Sequence, residues 1–251
     1  MASAETTWLQ RVGSRAIDLL FPPSCVACRA SMAELADDIA LCTACRNALP
    51  KIAWSTCERC AARVPEIPGD VPICKCCRDH KIRFDRTQAL GVYDGLLRDL
   101  VLRMKADATG RLADAFGKLI AVRFADTIRE FEPDAVVPIP MHVWRRLSRR
   151  ANPPVSLAMS IGRRLGIPVE PNLLCWQRDT SAQLGLSQQG RFRNMRNVMC
   201  VRPSYRLDAP RLLLVDDILT TGATCSEAAR VLKKSGASEI AVAVVGRTPI
   251  V

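Results

Sequence analysis

Two adjacent carboxylates, Asp216 and Asp217, follow the apolar run 212–215 and precede a Thr/Gly-rich turn, 220–224, that opens a helical pattern. Such a turn aims backbone N–H groups and hydroxyls at one point, where the helix N-terminus adds positive potential, so its chemistry suits a phosphate group. The carboxylates themselves repel phosphate. Their ligand must then also carry hydroxyls or a divalent cation, and a sugar phosphate meets that description. The bland alternative for the pair is a hydrated turn or a helix cap.

Cysteine spacing gives a second chemistry. Nine of the twelve cysteines lie between residues 25 and 77. Cys25-x-x-Cys28 and Cys42-x-x-Cys45 are followed by Cys57-x-x-Cys60 and Cys74-x-x-Cys77, each displaced by 32 residues. This is an internal repeat, and each copy offers four thiolates at the spacing of a closed tetrahedral zinc site. Few large apolar residues lie between the pairs, so metal binding must supply the folding free energy, on the order of 10 kcal/mol per site. Disulfides are the competing account, which the absence of a secretion signal disfavours. Four protein ligands leave no vacancy for water, so both Zn²⁺ ions are expected to be structural. Cys76 is a ninth thiol that could replace a neighbour or stand by. Cys175, Cys200 and Cys225 are isolated in sequence and read as buried thiols.

Charge is the third signal. The chain carries a net +11. Residues 135–206 hold twelve arginines, no lysine and only Glu170 and Asp179 as acids, a local +10 (12 − 2). Concentrated arginine suits a polyanion as well as a solvated face. Residues 1–86 balance twelve basic against ten acidic residues, and each four-thiolate zinc site adds −2. The ribbons are therefore expected to bind protein or act as scaffold rather than hold nucleic acid. Aromatics at 5% argue against a base-stacking surface. With no signal peptide and no apolar run of membrane-spanning length, a soluble cytoplasmic protein is expected.

The elements that must position these groups follow from periodicity. A helix is expected from Trp8 to Leu20, ended by Pro22 and Pro23. Beyond residue 86 short strands alternate with amphipathic helices: strands at 88–93, 135–139, 212–215 and 240–245, helices at 96–105, 111–129, 155–165 and 224–234. That alternation predicts an α/β fold with a doubly wound, mainly parallel sheet, preceded by a small double zinc-ribbon domain. Ligands in such sheets bind beyond the strands' carboxyl ends, where residues 137–140 and 216–224 should both emerge. The expected domains are a lead-in helix at 1–22, tandem ribbons at 23–86 and the α/β domain at 87–251. No G-x-G-x-x-G occurs. The stretch 110–118 is not a P-loop, because its glycines are wrongly spaced and Leu119 stands where Ser or Thr is required. Without that partner, a Walker B reading of the acidic pair fails.

The carboxylate pair followed by TTGAT resembles the phosphoribosyl pyrophosphate loop of type I phosphoribosyltransferases. Together with the tandem ribbons, VVPIPMH at 136–142, Arg178-x-Thr180-x-x-Gln183 and Arg191-x-x-Asn194, the chain resembles the ComF family of competence-associated proteins. The resemblance assigns Asp216 and Asp217 to the ribose hydroxyls, and Thr220, Thr221, Gly222, Ala223 and Thr224 to the 5′-phosphate. It sets Arg149, Arg178 and Arg191 against the pyrophosphate, with Mg²⁺ bridging pyrophosphate and ribose oxygens. It implies phosphoribosyl transfer to a nitrogen acceptor, linked to DNA uptake. The alternative is a non-catalytic sensor of phosphoribosyl pyrophosphate that holds single-stranded DNA on the arginine-rich segment 145–206. The family's Arg-Gly-aromatic-Asn-Gln stands here as Arg149-Arg150-Ala151-Asn152-Pro153, stiffened by Pro153 and Pro154. As the sequence ends at Val251, either the ribbons are expected to cover the acceptor or no small base is read.

Overall fold

The two sets of cysteines repeat each other in three dimensions as well as in sequence. In the computed structural model, which describes residues 22–33, 35–65, 73–80, 82–141, 152–178 and 187–249, each first Cys-x-x-Cys sits in a tight loop. An antiparallel bridge closes that loop, Ser24 to Ser31 in one copy and Thr56 to Arg63 in the other. The Cys25 N–H donates to the Ala30 carbonyl at 2.9 Å, and the Cys57 N–H to the Ala62 carbonyl at 2.7 Å. Arg29 and Ala61 adopt φ of 65° and 55° at the same place in each loop. Each second Cys-x-x-Cys opens a short helix, α1 (Thr43–Asn47) or α2 (Lys75–His80). There the backbone N–H of Cys45 or Cys77 donates to the sulfur of Cys42 or Cys74, both at 3.4 Å. Every one of these pairs is 32 residues apart.

The chain divides into two compact units, Met1–Ala48 and Leu49–Val251. The first ribbon belongs to the first unit. The second shares a continuous core with the sheet, in which Cys57, Cys60, Cys74, Cys77, Ile82 and Phe84 cluster with Leu212, Leu214, Val242 and Val244.

Strands of the second unit are β1 (Arg86–Val92), β2 (Ala135–Pro138), β3 (Leu174–Trp176), β4 (Met199–Val201), β5 (Arg211–Leu219) and β6 (Glu239–Arg247). Four form a wholly parallel sheet in the order β1-β6-β5-β2, with Val137 opposite Leu214 and Val215 opposite Ala243. β3 and β4 form a separate antiparallel pair. The helices are α3 (Gly95–Ala106), α4 (Arg111–Arg123), α5 (Ala125–Phe131), α6 (Pro153–Leu165), α7 (Gln188–Met195) and α8 (Ala223–Lys234).

Both sheet faces are covered, as near-continuous apolar strands require. Leu212 and Leu214 of β5 pack with Ala228 and Leu232 of α8 and with the ribbon. Leu213 and Val215 point to the other face and are fully buried, as are Leu100 of α3, Phe116 of α4 and Leu157 of α6. Gly117 lets α4 cross α6 closely, since a Cβ there would lie 2.7 Å from the Ser160 Cβ.

The parallel α/β architecture with an N-terminal double ribbon agrees with the sequence reading, and the differences are local. The helix expected over 111–129 breaks at Phe124, which takes φ −114° and ψ 20°, into α4 and α5. β5 runs four residues beyond the expected 212–215, through both aspartates, because its backbone stays paired with β6 as far as Leu219 opposite Arg247. The β3–β4 pair and α7 have no counterpart in the periodicity. The helix expected at 8–20 lies outside the described residues. Among the described residues, no helix is long and apolar enough to cross a membrane.

Candidate functional site

Strand parity sends the two carboxylates in opposite directions, because consecutive strand residues project from opposite faces. Asp216 shares the face of Leu214, and its Oδ2 lies 4.0 Å from the Cys225 sulfur on α8. Asp217 faces the other way, where its Oδ2 meets Lys105 Nζ of α3 at 2.9 Å. The Asp217 N–H donates to Asp216 Oδ1 at 2.8 Å. Burial, and after it the Asp217 charge, push the Asp216 carboxyl up to about 8. Asp216 is thereby held toward its protonated form, beside the contact of Asp217 with Lys105.

Past the strand, Gly222 adopts φ 82° as the N-cap of α8, a left-handed conformation that costs glycine little and other residues more. A Cβ there would lie 3.4 Å from Ile82 and 3.5 Å from Phe84, so the segment after the second ribbon underlies the loop. The Ala223 N–H donates to Thr221 Oγ1 at 3.3 Å, which fixes the turn as the helix begins. Ala223 is buried, while Thr220, Thr221 and Thr224 are half-buried.

Of the arginines singled out, Arg191 of α7 reaches the loop, its Nη1 donating to Thr220 Oγ1 at 3.4 Å. Arg178 is engaged elsewhere, donating to the carbonyls of Asn194 at 3.4 Å and Arg196 at 2.7 Å. It lines a cleft of about 780 Å³ between β4 and the C-terminal half of α8, with Asn197, Cys200, Arg230 and Lys234. Arg149 lies outside the described residues, as do His142 and Gln183.

Sequence reading missed three residues that hold this site together. Lys105 is one. Arg247, 3% exposed at the end of β6, donates to the carbonyls of Cys60 at 2.7 Å, Leu219 at 2.9 Å and Thr248 at 2.9 Å, and to that of Thr220. It thereby ties a ribbon cysteine to the base of the loop. The third is Gln188, whose Nε2 lies 2.8 Å from the Cys76 sulfur, while Cys76 in turn donates to the Thr221 carbonyl at 3.8 Å. The ninth thiol is thus outside the metal set but touches the loop. An arginine closing an apolar parallel strand was the available signal, since that end of the sheet is where ligands bind.

Both cysteine sets fit zinc. In each, all four sulfurs lie within 4.8 Å of one another. Zinc–sulfur bonds of about 2.3 Å in a tetrahedron imply sulfurs about 3.8 Å apart. Cys28 and Cys42 are 3.8 Å apart, Cys57 and Cys77 3.8 Å, and Cys60 and Cys74 3.5 Å. All four cysteines of the second set are buried, whereas in the first Cys25 is buried, Cys42 and Cys45 are half-buried and Cys28 is exposed.

Comparison with known proteins agrees with this geometry. Residues 16–78 match the model of the double zinc ribbon domain. Competence protein F of Haemophilus influenzae is 30% identical over 167 residues, covering 63% of this chain and 71% of that protein. The chain belongs to the ComF family. The DNA utilization protein YhgH of Escherichia coli is 27% identical over 172 residues, 66% of this chain and 73% of its own length. Among solved structures, the glutamine phosphoribosylpyrophosphate amidotransferase of B. subtilis is similar at 23% identity with a TM-score of 0.36. That similarity covers 53% of this chain, which spans a quarter of the amidotransferase's length. In this ComF chain the ribbon and the carboxylate loop are joined by named contacts within one unit, through Arg247, Cys76, Ile82 and Phe84.

Proposed function

We propose that this ComF protein binds phosphoribosyl pyrophosphate with Mg²⁺ and transfers phosphoribose to a nitrogen acceptor during the cytoplasmic handling of DNA. The observation that carries this reading is the order of groups along one strand end: Asp216, Asp217, then a left-handed Gly222 capping α8. Carboxylates accept the hydrogen bonds of ribose hydroxyls, and the helix start with Thr220, Thr221 and Thr224 receives the 5′-phosphate. Arg191, with Arg149 as the family resemblance assigns it, would neutralise the departing pyrophosphate, the main electrostatic task when the anomeric bond loosens. Mg²⁺ takes one or two carboxylates plus substrate phosphates, so the aspartates would hold it with the ligand, and it would supply further positive charge there.

The test is calorimetric titration with phosphoribosyl pyrophosphate and Mg²⁺. Wild type is expected to bind, and the double variant Asp216→Asn, Asp217→Asn to lose at least tenfold in affinity. Equal affinity in the two proteins overturns the site assignment. Pyrophosphate release at background across a panel of bases and nucleic-acid acceptors overturns the transfer step and leaves a sensor.

A second reading rests on charge. Arg163, Arg164, Arg178, Arg193, Arg196 and Arg202 are exposed, and a single strand of DNA held by them would dissociate steeply with salt. A flat salt dependence removes that reading.

A further inference from the structure

We propose that Cys175 and Cys200 form a reversible cross-strand disulfide, a modification site that staples the base of the segment carrying Arg178 and Arg191. The two residues, 25 apart in sequence, stand directly opposite each other in the β3–β4 ladder. Directly opposed residues of an antiparallel pair project from the same face. The Gln177 N–H donates to the Val198 carbonyl at 2.7 Å and the Arg202 N–H to the Leu173 carbonyl at 3.0 Å. Counting inward by two from each, the alternation of the ladder makes Cys175–Cys200 a hydrogen-bonded pair, for which Cα atoms are about 5.5 Å apart. That spacing lies inside the range a disulfide spans.

The thiols lean across the ladder toward each other's strand. Cys175 Sγ lies 3.4 Å from the Cys200 carbonyl, and Cys200 Sγ 3.7 Å from that of Cys175. After burial, the neighbouring Cys175 sulfur is the chief cause that pushes the Cys200 thiol up to about 11. Both residues are half-buried rather than sealed, and Cys200 lines the open cleft of about 780 Å³, so a small oxidant has access. Cys225, by contrast, is 1% exposed.

The oxidant is a low-molecular-weight disulfide such as oxidised glutathione. One cysteine thiolate attacks a sulfur of that disulfide and expels the first glutathione thiolate, giving a mixed disulfide. The second cysteine thiolate then attacks the protein sulfur of the mixed disulfide and expels the other glutathione. Two protein thiols are oxidised, one external disulfide is reduced to two thiols, and the two protons leave with them.

The experiment exposes the full-length, zinc-loaded protein to oxidised glutathione, alkylates remaining thiols and maps tryptic peptides without reduction. The expected product links peptide 165–178 to peptide 197–206, 2 Da lighter than the sum of the two reduced peptides, and is reversed by dithiothreitol. Zinc stays at two equivalents, and the melting temperature rises by several degrees. In Cys175→Ser the link is lost and Cys200 accumulates as a stable glutathione adduct. Separate glutathione adducts on both cysteines of the wild-type protein overturn the proposal. So does full alkylation of both, or a link from either to a ribbon cysteine.

Discussion

Asp216 is where burial and chemistry oppose each other most directly. A carboxyl held at about 8 when folded stands well above the value of about 3.9 expected in the unfolded chain. The folded state therefore keeps a proton that the unfolded state releases. The stabilisation from this group is fully present below about pH 4 and is lost as pH rises through about 8. In the unliganded protein the melting temperature is expected to fall between pH 5 and pH 8.5. Asp216→Asn, whose amide resembles the protonated acid, should flatten that decline, as differential scanning calorimetry across the range will show. Ligand binding has the opposite slope. A ribose or cation that needs both carboxylates ionised must expel the proton, so affinity should rise by up to tenfold per pH unit to about pH 8 and then level. The adjacent acids and the glycine turn were legible in sequence because their identities alone imply a polar cradle. Lys105 was not, since nothing in the sequence shows that α3 ends beside β5.

Among the elements, the sheet and its helices were legible because alternating apolar runs and amphipathic stretches have few other ways to bury their faces. The β3–β4 pair escaped notice because three-residue strands such as Leu-Cys-Trp carry too little periodicity to register. Its pairing depends on partners 25 residues away. For the same reason Cys175 and Cys200 looked isolated along the chain, although they face each other in the ladder. The end of β5 shows a further effect: parallel pairing with β6 carries the strand through two charged residues that propensity alone would assign to a turn. β6 also supplies Arg247, whose guanidinium satisfies carbonyls at the ribbon, at the strand end and at the loop base. Replacing it by Met keeps much of the volume and removes the donor to the Cys60 and Thr220 carbonyls, at about 1–3 kcal/mol for each buried carbonyl left unsatisfied, while the Leu219 carbonyl still accepts from the Thr248 N–H at 3.1 Å. Arg247→Met is expected to lower the melting temperature by several degrees. It should also weaken phosphoribosyl pyrophosphate binding more than Arg191→Met, which removes the half-buried contact at Thr220. Equal losses in the two variants would show that the loop does not depend on its anchor.

Across the whole molecule, the repeat that is regular in sequence is unequal in its surroundings. Both copies build the same loop and the same cysteine-capped helix, and among the described residues the second set belongs to the apolar core of the sheet. The first belongs to the unit Met1–Ala48. Sequence spacing revealed the metal chemistry of both, because four thiolates at that interval have one common use. It could not reveal that one copy is also part of the foundation of the phosphate loop, since that depends on where Cys60 and Phe84 land against β6 and α8. Metal loss should therefore have unequal consequences. Cys28→Ser with Cys45→Ser, and separately Cys60→Ser with Cys77→Ser, are each expected to reduce bound zinc from two equivalents to one by elemental analysis. Binding free energy for a structural zinc is on the order of 10 kcal/mol, comparable to the whole stability of an ordinary domain. Where the site is built into the sheet's core, its loss should lower the main melting transition by 10 °C or more and abolish phosphoribosyl pyrophosphate binding. The first pair of substitutions should shift both far less, because Arg247 and the glycine turn rest on the second copy and the segment after it. If the two double variants melt alike, the second ribbon is not the support that its contacts with the loop imply.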